Sequence, residues 1–127
     1  MSYDILAFDP GATADDDFEA WWDEQAQWPE GHGYNSPSVS TPALQAFYRD
    51  VAAKYPPMNG PDAPQLDDLD EPLESRLTDY SFGRDLIYGA GSWRLADELT
   101  ADWERIAREH GIAVAFVSNS PLRIVRP

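Results

Sequence analysis

The segment from Thr78 to Val117 limits the possible folds most strongly, because an alternating pattern, a helical pattern and an unbroken apolar run follow one another within it. In its first part, two sets of residues alternate along the chain, and one set is mostly aromatic or aliphatic. Such alternation is typical of strands. The positions on one side of this alternation are Tyr80, Phe82, Leu86, Tyr88 and Ala90. The cluster Gly83-Arg84-Asp85 interrupts them, and its glycine tolerates the positive φ that a chain reversal can require. This part predicts two short antiparallel strands joined by a turn.

The second part of the segment has the period of a helix, followed by the pattern of a buried strand. One stripe recurs every three or four residues between charged positions, and it consists of Leu95, Leu99, Trp103, Ile106 and His110. Gly111 follows as the expected C-terminal cap residue. Residues 112 to 117, IAVAFV, are all apolar, which favours a strand with neighbours on both sides. The segment therefore predicts a hairpin, a helix and a buried strand.

The N-terminal region predicts a strand and a helix. Tyr3 to Phe8 is rich in strand-forming residues and stops at Asp9-Pro10-Gly11, so we expect a first strand that joins the sheet centrally. Thr13 or one of Asp15 to Asp17 is expected to cap the next helix. Helical spacing then continues to Pro29 through Phe18, Trp21, Trp22, Gln25 and Trp28. Since neighbouring residues of a helix point in different directions, we expect one of the two adjacent tryptophans to lie nearer solvent.

A second helix and two weaker elements complete the chain. Thr41 as cap and Pro42 at the first position predict a helix that ends before Pro56 and faces the core through Leu44, Phe47, Tyr48, Val51 and Tyr55. Residues 58 to 77 are rich in proline, glycine and carboxylates, which predicts an irregular acidic loop. Residues 122 to 126 can form a short terminal strand, and their arginines suit the edge of a sheet.

The resulting order is β-α-α-β-β-α-β-β, and it predicts an α+β fold. We expect a mainly antiparallel sheet with the helices on one face, as a variant of the ferredoxin-like arrangement with an extra helix and strand. The length of 127 residues is sufficient for one domain with one core, so residues 1–127 are expected to form a single domain.

The charge of the chain favours some partners over others. Its formal net charge is −14, and residues 1 to 48 contain no lysine or arginine. Such a field repels nucleic acid and anionic membranes and attracts a basic protein surface, although many acidic proteins are acidic only for solubility. The chain has no cysteine, no basic N-terminal signal region and no apolar run of about 20 residues, so we expect a cytoplasmic protein.

The sequence contains no signature of a catalytic, cofactor or metal site. His110 falls in the last turn of the predicted helix, where a structural role is expected, whereas His32 lies between two loop glycines and is freer to act as a base. Gly89-Ala90-Gly91 lacks the third glycine of a nucleotide-binding turn and is better explained by close packing of the following helix. Asp67, Asp68, Asp70 and Glu71 lack the spacing of a calcium loop. We therefore expect no catalytic residue, cofactor or metal.

A protein interface is the functional site that the residues favour. Aromatic side chains ringed by charge are typical anchors of such interfaces. The candidate anchors are Trp22, Trp28 and Tyr34, and the candidate acidic residues of the loop are Asp67, Asp68, Asp70, Glu71 and Glu74.

Several segments resemble a family of small, acidic, uncharacterised bacterial proteins, and these segments are SYDILAFDP, TPALQAFYRD, YPPMNGP, TDYSFGRDLIYGAGSW and EHGIAVAF. Proteins of this size and composition are similar to the immunity proteins of bacterial toxin systems. The resemblance implies a protein that neutralises a toxin by occupying a complementary surface, without chemistry of its own. It implies no catalytic residues, and it leaves the identity of the toxin and the choice between monomer and dimer open.

Two other functions remain open at this stage. The first is an enzyme of unknown class that uses His32 with a carboxylate, which requires a concave pocket containing both groups. The second is a mimic of nucleic acid that blocks a DNA-binding protein, which requires carboxylates in two spaced rows on one exposed face.

Overall fold

A computed structural model describes residues 2–58, 60, 62–65 and 71–127, without the side chains of Glu71 and Leu73. Its strands are β1 (Ser2–Phe8), β2 (Asp79–Phe82), β3 (Leu86–Ser92), β4 (Ala113–Phe116) and β5 (Arg123–Val125). Its helices are α1 (Phe18–Gln25), α2 (Pro42–Ala52), α3 (Glu71–Ser75) and α4 (Ala96–Glu109).

The strands form one open sheet in the order β2-β3-β1-β4-β5, and every neighbouring pair is antiparallel. β1 is central as predicted, because Leu6 pairs with Tyr88 of β3 on one side and with Ala115 of β4 on the other. The succession β1, α2, β2, β3, α4, β4 is the ferredoxin-like one, to which α1, α3 and β5 are additions. The predicted α+β class and antiparallel sheet are confirmed.

The inner face of the sheet is closed by α2 and α4. Trp103 of α4 is 0% exposed and packs edge-on against Phe47 of α2, with ring centroids 5.1 Å apart. A Cβ on Gly89 of β3 would lie 2.7 Å from the Trp103 ring, and one on Gly91 would lie 3.0 Å from Leu99. The two glycines therefore let α4 approach the sheet closely, which is the packing role expected for Gly89-Ala90-Gly91.

The outer face of the sheet is covered in part by α1, so the prediction that all helices share one face is wrong. The reason lies in β1, where Ile5, Leu6, Ala7 and Phe8 are all buried. Successive residues of a strand point to opposite faces, so this run makes both faces apolar and both need a cover. On the outer face Phe18 of α1 packs over Phe8, and the two ring centroids are 5.4 Å apart.

Two of the predicted helix ends have the expected geometry. The hydroxyl oxygen of Thr41 accepts a hydrogen bond from the Leu44 N–H at 3.3 Å, and Pro42 occupies the first position of α2. Gly111 follows α4 with a φ of 69°, a conformation that costs glycine nothing. Both caps could be read from residue type because their chemistry is local.

Two other turns differ from what their residue types suggest. Gly83 could adopt a positive φ but does not; a Cβ there would lie 2.9 Å from a carboxylate oxygen of Glu30 and 3.2 Å from Cγ of Leu86, so the glycine leaves room for these two side chains. At the start of α1, no side chain caps the helix, since the three carboxylates of Asp15–Asp17 lie inside a turn of 3-10 helix. The hydroxyl of Thr13 donates to the Ala14 carbonyl oxygen at 3.2 Å.

The segment predicted to be irregular, residues 58 to 77, contains the short helix α3. Both ends of the segment are joined: the Met58 N–H donates to the Thr78 carbonyl oxygen at 2.9 Å, and the Thr78 N–H donates to that of Pro56 at 3.0 Å. Residues 59, 61 and 66–70 lie outside the described part of the chain. Among the helices that are described, none combines the length and the apolar character needed to cross a bilayer.

Candidate functional site

Four aromatic side chains meet on the outer face of the sheet, beside α1. We refer to Trp22, Trp28, Tyr34 and Tyr88 as the aromatic cluster. The Trp22 indole stacks on the Tyr88 ring at 5.5 Å and an interplanar angle of 14°, and Trp28 packs edge-on against Tyr34 at 5.0 Å. Trp28 also lies 6.2 Å from Trp22 and 6.1 Å from Tyr88. All four residues are half-buried. The structure thus brings together the three aromatic residues that the sequence indicated.

The two adjacent tryptophans of α1 contact different residues, but both are half-buried. Trp21 packs against Phe8 and Phe18, with centroids 5.5 and 5.8 Å away, whereas Trp22 stacks on Tyr88. That one of them lies nearer solvent stays a prediction, but both are half-buried. The reason is that α1 lies over the outer face with two adjacent positions directed to different parts of it.

The aromatic cluster is held by an unusual backbone. Trp28 has a φ of 52° and Tyr34 a φ of 59°, in the left-handed region that costs a residue with a Cβ about 1–2 kcal/mol. Three hydrogen bonds fix these conformations. The Trp28 N–H donates to the Gln25 carbonyl oxygen at 2.8 Å, the Tyr34 carbonyl oxygen accepts from the Phe82 N–H at 3.0 Å, and the Tyr34 hydroxyl donates to the Glu30 carbonyl oxygen at 2.9 Å. Strained residues that are held this firmly cluster at functional sites.

Glu30 and His32 support the loop that carries the aromatic cluster. The Glu30 carboxylate accepts from the Arg84 N–H at 3.1 and 3.2 Å, and it lies 2.7 Å from Nε2 of His32. The other ring nitrogen of His32, Nδ1, accepts from the Tyr34 N–H at 3.2 Å. Since Nδ1 is an acceptor, Nε2 carries the proton and donates it to Glu30. The histidine and carboxylate required by the enzyme hypothesis are paired, but neither ring nitrogen is left free to accept a proton.

Tyr88 is a member of the cluster that the sequence did not indicate as functional. Its hydroxyl donates a hydrogen bond to a carboxylate oxygen of Asp4. Burial raises the pKa of the Tyr88 hydroxyl well above its usual value, and the hydrogen bond to Asp4 raises it further. The Asp4 N–H in turn donates to Ser118 Oγ at 2.8 Å. Tyr88 is therefore a fixed donor, and its ring is a rigid platform for Trp22.

The charges of α1 are not balanced by neighbouring cations. Asp15 pairs with Arg126 at 2.6 Å. The following carboxylates are exposed and have no ion-pair partner among the described residues; they are Asp16, Asp17, Glu19, Asp23 and Glu24. On the opposite side of the sheet, most carboxylates of α4 are paired, as when Asp102 lies 2.8 Å from Lys54. Two of the unpaired carboxylates of α1, Glu19 and Asp23, line one pocket with Trp22 of the aromatic cluster.

These two acidic helices lie on opposite faces of the sheet. Their carboxylates consequently do not form two rows on one exposed face, which is the arrangement that mimicry of nucleic acid requires. That hypothesis gains no support from the described residues.

The acidic loop of the interface prediction is described only in part. Asp67, Asp68 and Asp70 lie outside the described residues, and so does the side chain of Glu71, whose backbone begins α3. Glu74 is exposed and lines a groove of about 640 Å³ with Ala90 and Gly91 of β3. Because Ala90 and Gly91 point to opposite faces of the sheet, this groove does not assign Glu74 to the face that carries the aromatic cluster.

The remaining histidine joins two helices. Nε2 of His110, which follows α4, lies 2.6 Å from a carboxylate oxygen of Asp50 in α2, as the expected structural role implies. Among the described residues, no group of three or more His, Asp or Glu side chains is placed to hold a metal ion.

Comparison of the chain with protein-family models, with curated proteins and with solved structures finds no match in any of the three.

Proposed function

We propose that the chain binds a basic protein surface through the aromatic cluster and the acidic side of α1, and that it acts as an immunity protein that neutralises a toxin. The observation that carries the binding proposal is the aromatic cluster itself, half-buried on a partly covered face and built on two residues with positive φ. A core requires neither feature, since core side chains can be buried completely on an unstrained backbone.

The composition of the cluster suits a protein interface. Tryptophan and tyrosine are enriched among the few residues that supply most of the binding energy in such interfaces. Their rings lose little conformational freedom on binding, and here Tyr88 is already fixed by its hydrogen bond to Asp4. An interface of ordinary size buries about 1,200–2,000 Å² in total, so we expect it to extend from the cluster onto α1.

The unbalanced charge gives the second argument. The exposed carboxylates from Asp16 to Glu24 lie on α1, which carries Trp22 of the cluster, and in the turn before it, and they would draw a basic partner toward this side of the molecule. Steering of this kind acts mainly on the association rate and is screened by salt. We therefore expect the rate of association to fall by about tenfold or more between low salt and 0.5 M salt, with a much smaller change in the rate of dissociation.

The toxin-neutralising part of the proposal is supported by the resemblance noted in the sequence, and its first test is genomic. We expect the reading frame next to the gene to encode a large secreted protein with a variable C-terminal domain. Expression of that domain in bacteria should stop growth, and co-expression of this chain should restore it. A metabolic operon at that position, or a toxic domain against which the chain gives no protection, would contradict the proposal.

The same growth assay tests the binding surface. Trp22→Ala and Trp28→Ala should each abolish protection, because the loss of an interface anchor weakens binding by about 30-fold or more. Trp93→Ala is the matched control, since Trp93 is 45% exposed and lies outside the cluster. The variants must accumulate to equal levels in the cell. Protection by both cluster variants at the wild-type level would remove the cluster from the interface.

The acidic loop remains a prediction and has its own test. Reversal of Asp67, Asp68, Asp70 and Glu71 to lysine should weaken binding of the toxin domain if the loop belongs to the interface. Unchanged affinity in this variant would confine the interface to the cluster and α1.

The contact between Glu30 and His32 brings together the two groups that the alternative of a small enzyme needs, although neither ring nitrogen of His32 is free to accept a proton. In that case His32→Gln should abolish turnover without changing the fold. If His32 only supports the loop, the wild-type protein should show no turnover, and the same variant should only lower the stability of the loop.

A further inference from the structure

A small pocket lies between α1 and the end of β4, next to the aromatic cluster. Its volume is about 240 Å³, and its lining consists of Phe18, Glu19, Trp22, Asp23, Val117 and Leu122. Sites for drug-sized ligands usually measure about 300–1,000 Å³, so this pocket is better matched to a single side chain than to a metabolite.

The pocket has an apolar wall and an acidic rim. Phe18, Trp22, Val117 and Leu122 belong to the outer hydrophobic cluster of the sheet. Glu19 and Asp23 are exposed, and neither has an ion-pair partner among the described residues. They are four positions apart on α1, which places them one above the other on the same side of the helix.

Two like charges in this relation destabilise a helix. The helix itself offers no relief, since α1 contains no basic residue. A cation placed between the two carboxylates would replace this repulsion by two favourable contacts. The pocket is therefore complementary to a positively charged group at the end of an apolar chain.

We propose that this pocket receives an arginine side chain of the partner protein. The methylene groups of the arginine would pack against Val117 and Leu122, and its guanidinium would lie over the Trp22 indole with Glu19 and Asp23 as acceptors. Arginine fits better than lysine because its planar group stacks on an aromatic ring and donates to two carboxylates at once. This inference rests on the proposed function and adds to it the chemical class of the residue that the partner must present.

The test uses the isolated protein and does not require the partner. N-acetyl-arginine methylamide is titrated into the protein and followed by NMR at the Trp22 indole and the methyl groups of Val117 and Leu122. We expect saturable shifts at these groups with a dissociation constant on the order of millimolar. The citrulline analogue, which is neutral and has nearly the same shape, should not saturate the site.

Charge variants separate this pocket from general attraction to an acidic protein. The double variant Glu19→Gln/Asp23→Asn should weaken binding of the arginine probe by roughly fivefold or more. Glu24→Gln is the control, because Glu24 is an exposed carboxylate of the same helix that does not line the pocket. Equal shifts for the arginine and citrulline probes, or equal losses in the double variant and the control, would overturn the inference.

The two proposals can fail separately. If the arginine probe does not bind but Trp28→Ala still abolishes protection against the toxin, only the pocket assignment is wrong. If the probe binds as expected but the wild-type chain gives no protection against the toxic domain, the pocket is real and the proposed function is wrong.

Discussion

Both faces of the sheet carry aromatic side chains, but the two faces use them differently. On the inner face Phe47, Tyr80 and Trp103 are at most 1% exposed and lie under α2 and α4. On the outer face Trp22 of α1 and Tyr88 of β3 stack on each other and remain half-buried. The same residue types thus form a closed core on one side and an accessible surface on the other. Aromatic residues alone do not identify a core; a core is present where other elements pack over them and bury them.

The largest effect that the comparison predicts concerns the tryptophans of the two faces. Trp103→Ala should lower the free energy of unfolding by about 3–5 kcal/mol, since it removes a completely buried ring. Trp28→Ala should cost clearly less, because its ring is only half-buried. Urea denaturation measures both. If Trp103→Ala does not fold, Trp103→Phe provides a milder version, and equal costs at the two positions would break the comparison.

A smaller effect tests how closely the inner face is packed. Gly89→Ala should destabilise the protein by about 1–3 kcal/mol, since its Cβ would lie 2.7 Å from the Trp103 ring. Gly31→Ala is the control, because a Cβ there would meet nothing within 4 Å. Thermal unfolding of both variants gives the difference. A neutral Gly89→Ala would mean that α4 can move away from the sheet at no cost.

The charges of the two faces should differ in their dependence on pH. Burial opposes the ionisation of Asp102, but hydrogen bonds from Lys54 and Tyr55 overcome it and hold its pKa below the usual value. Ionised Asp102 therefore stabilises the fold above the unfolded pKa of about 3.9, and this contribution is lost as the pH falls through the folded pKa. Asp102→Asn should remove about 1 kcal/mol of stability at pH 7 and reduce the loss between pH 6 and 3.

Asp16→Asn is the corresponding variant on the outer side, at an exposed carboxylate of the turn before α1. It should leave the stability at pH 7 nearly unchanged, because this exposed carboxylate has no ion-pair partner among the described residues. Urea midpoints at pH 7, 5 and 3 compare the two variants. Parallel behaviour would show that the pairing of α4 carboxylates has no energetic consequence.

The smallest effect concerns the backbone of the aromatic cluster. Trp28→Gly and Trp28→Ala both remove the ring, but only glycine adopts a φ of 52° without strain. We expect the glycine variant to be more stable by about 1 kcal/mol, which reverses the usual order of the two residues. A more stable alanine variant would mean that the loop relaxes once the ring is gone.

Most of the fold could be predicted from the sequence because its patterns are local. Helical spacing and the Thr41 cap defined α2, and the run from Ile112 to Val117 identified a strand with neighbours on both sides. The sequence did not show which face of the sheet each hairpin residue points to. Phe82 faces inward, whereas Leu86 and Tyr88 face outward. The turn between the strands shifts the alternation by one residue, and the Arg84 N–H of this turn donates to the carboxylate of Glu30, a residue 54 positions away in the chain.

The candidate site was predictable to a similar extent. Trp22, Trp28 and Tyr34 were indicated by their type and by the carboxylates around them, and they lie together. Tyr88 was missed because its role depends on its side chain pointing to the outer face of the sheet from β3. The placement of α1 on the outer face was missed as well, although four consecutive buried residues at the end of β1 are a signal that both faces need a cover.

The central claim is that the outer face binds the partner while the inner face only holds the fold together. Hydrogen–deuterium exchange of this chain with and without the toxin domain tests it most directly. We predict slower exchange in α1, in residues 26 to 35 and in β3 on binding, with α2 and α4 unchanged. Protection confined to α2 and α4, with no change in α1 or residues 26 to 35, would contradict the account.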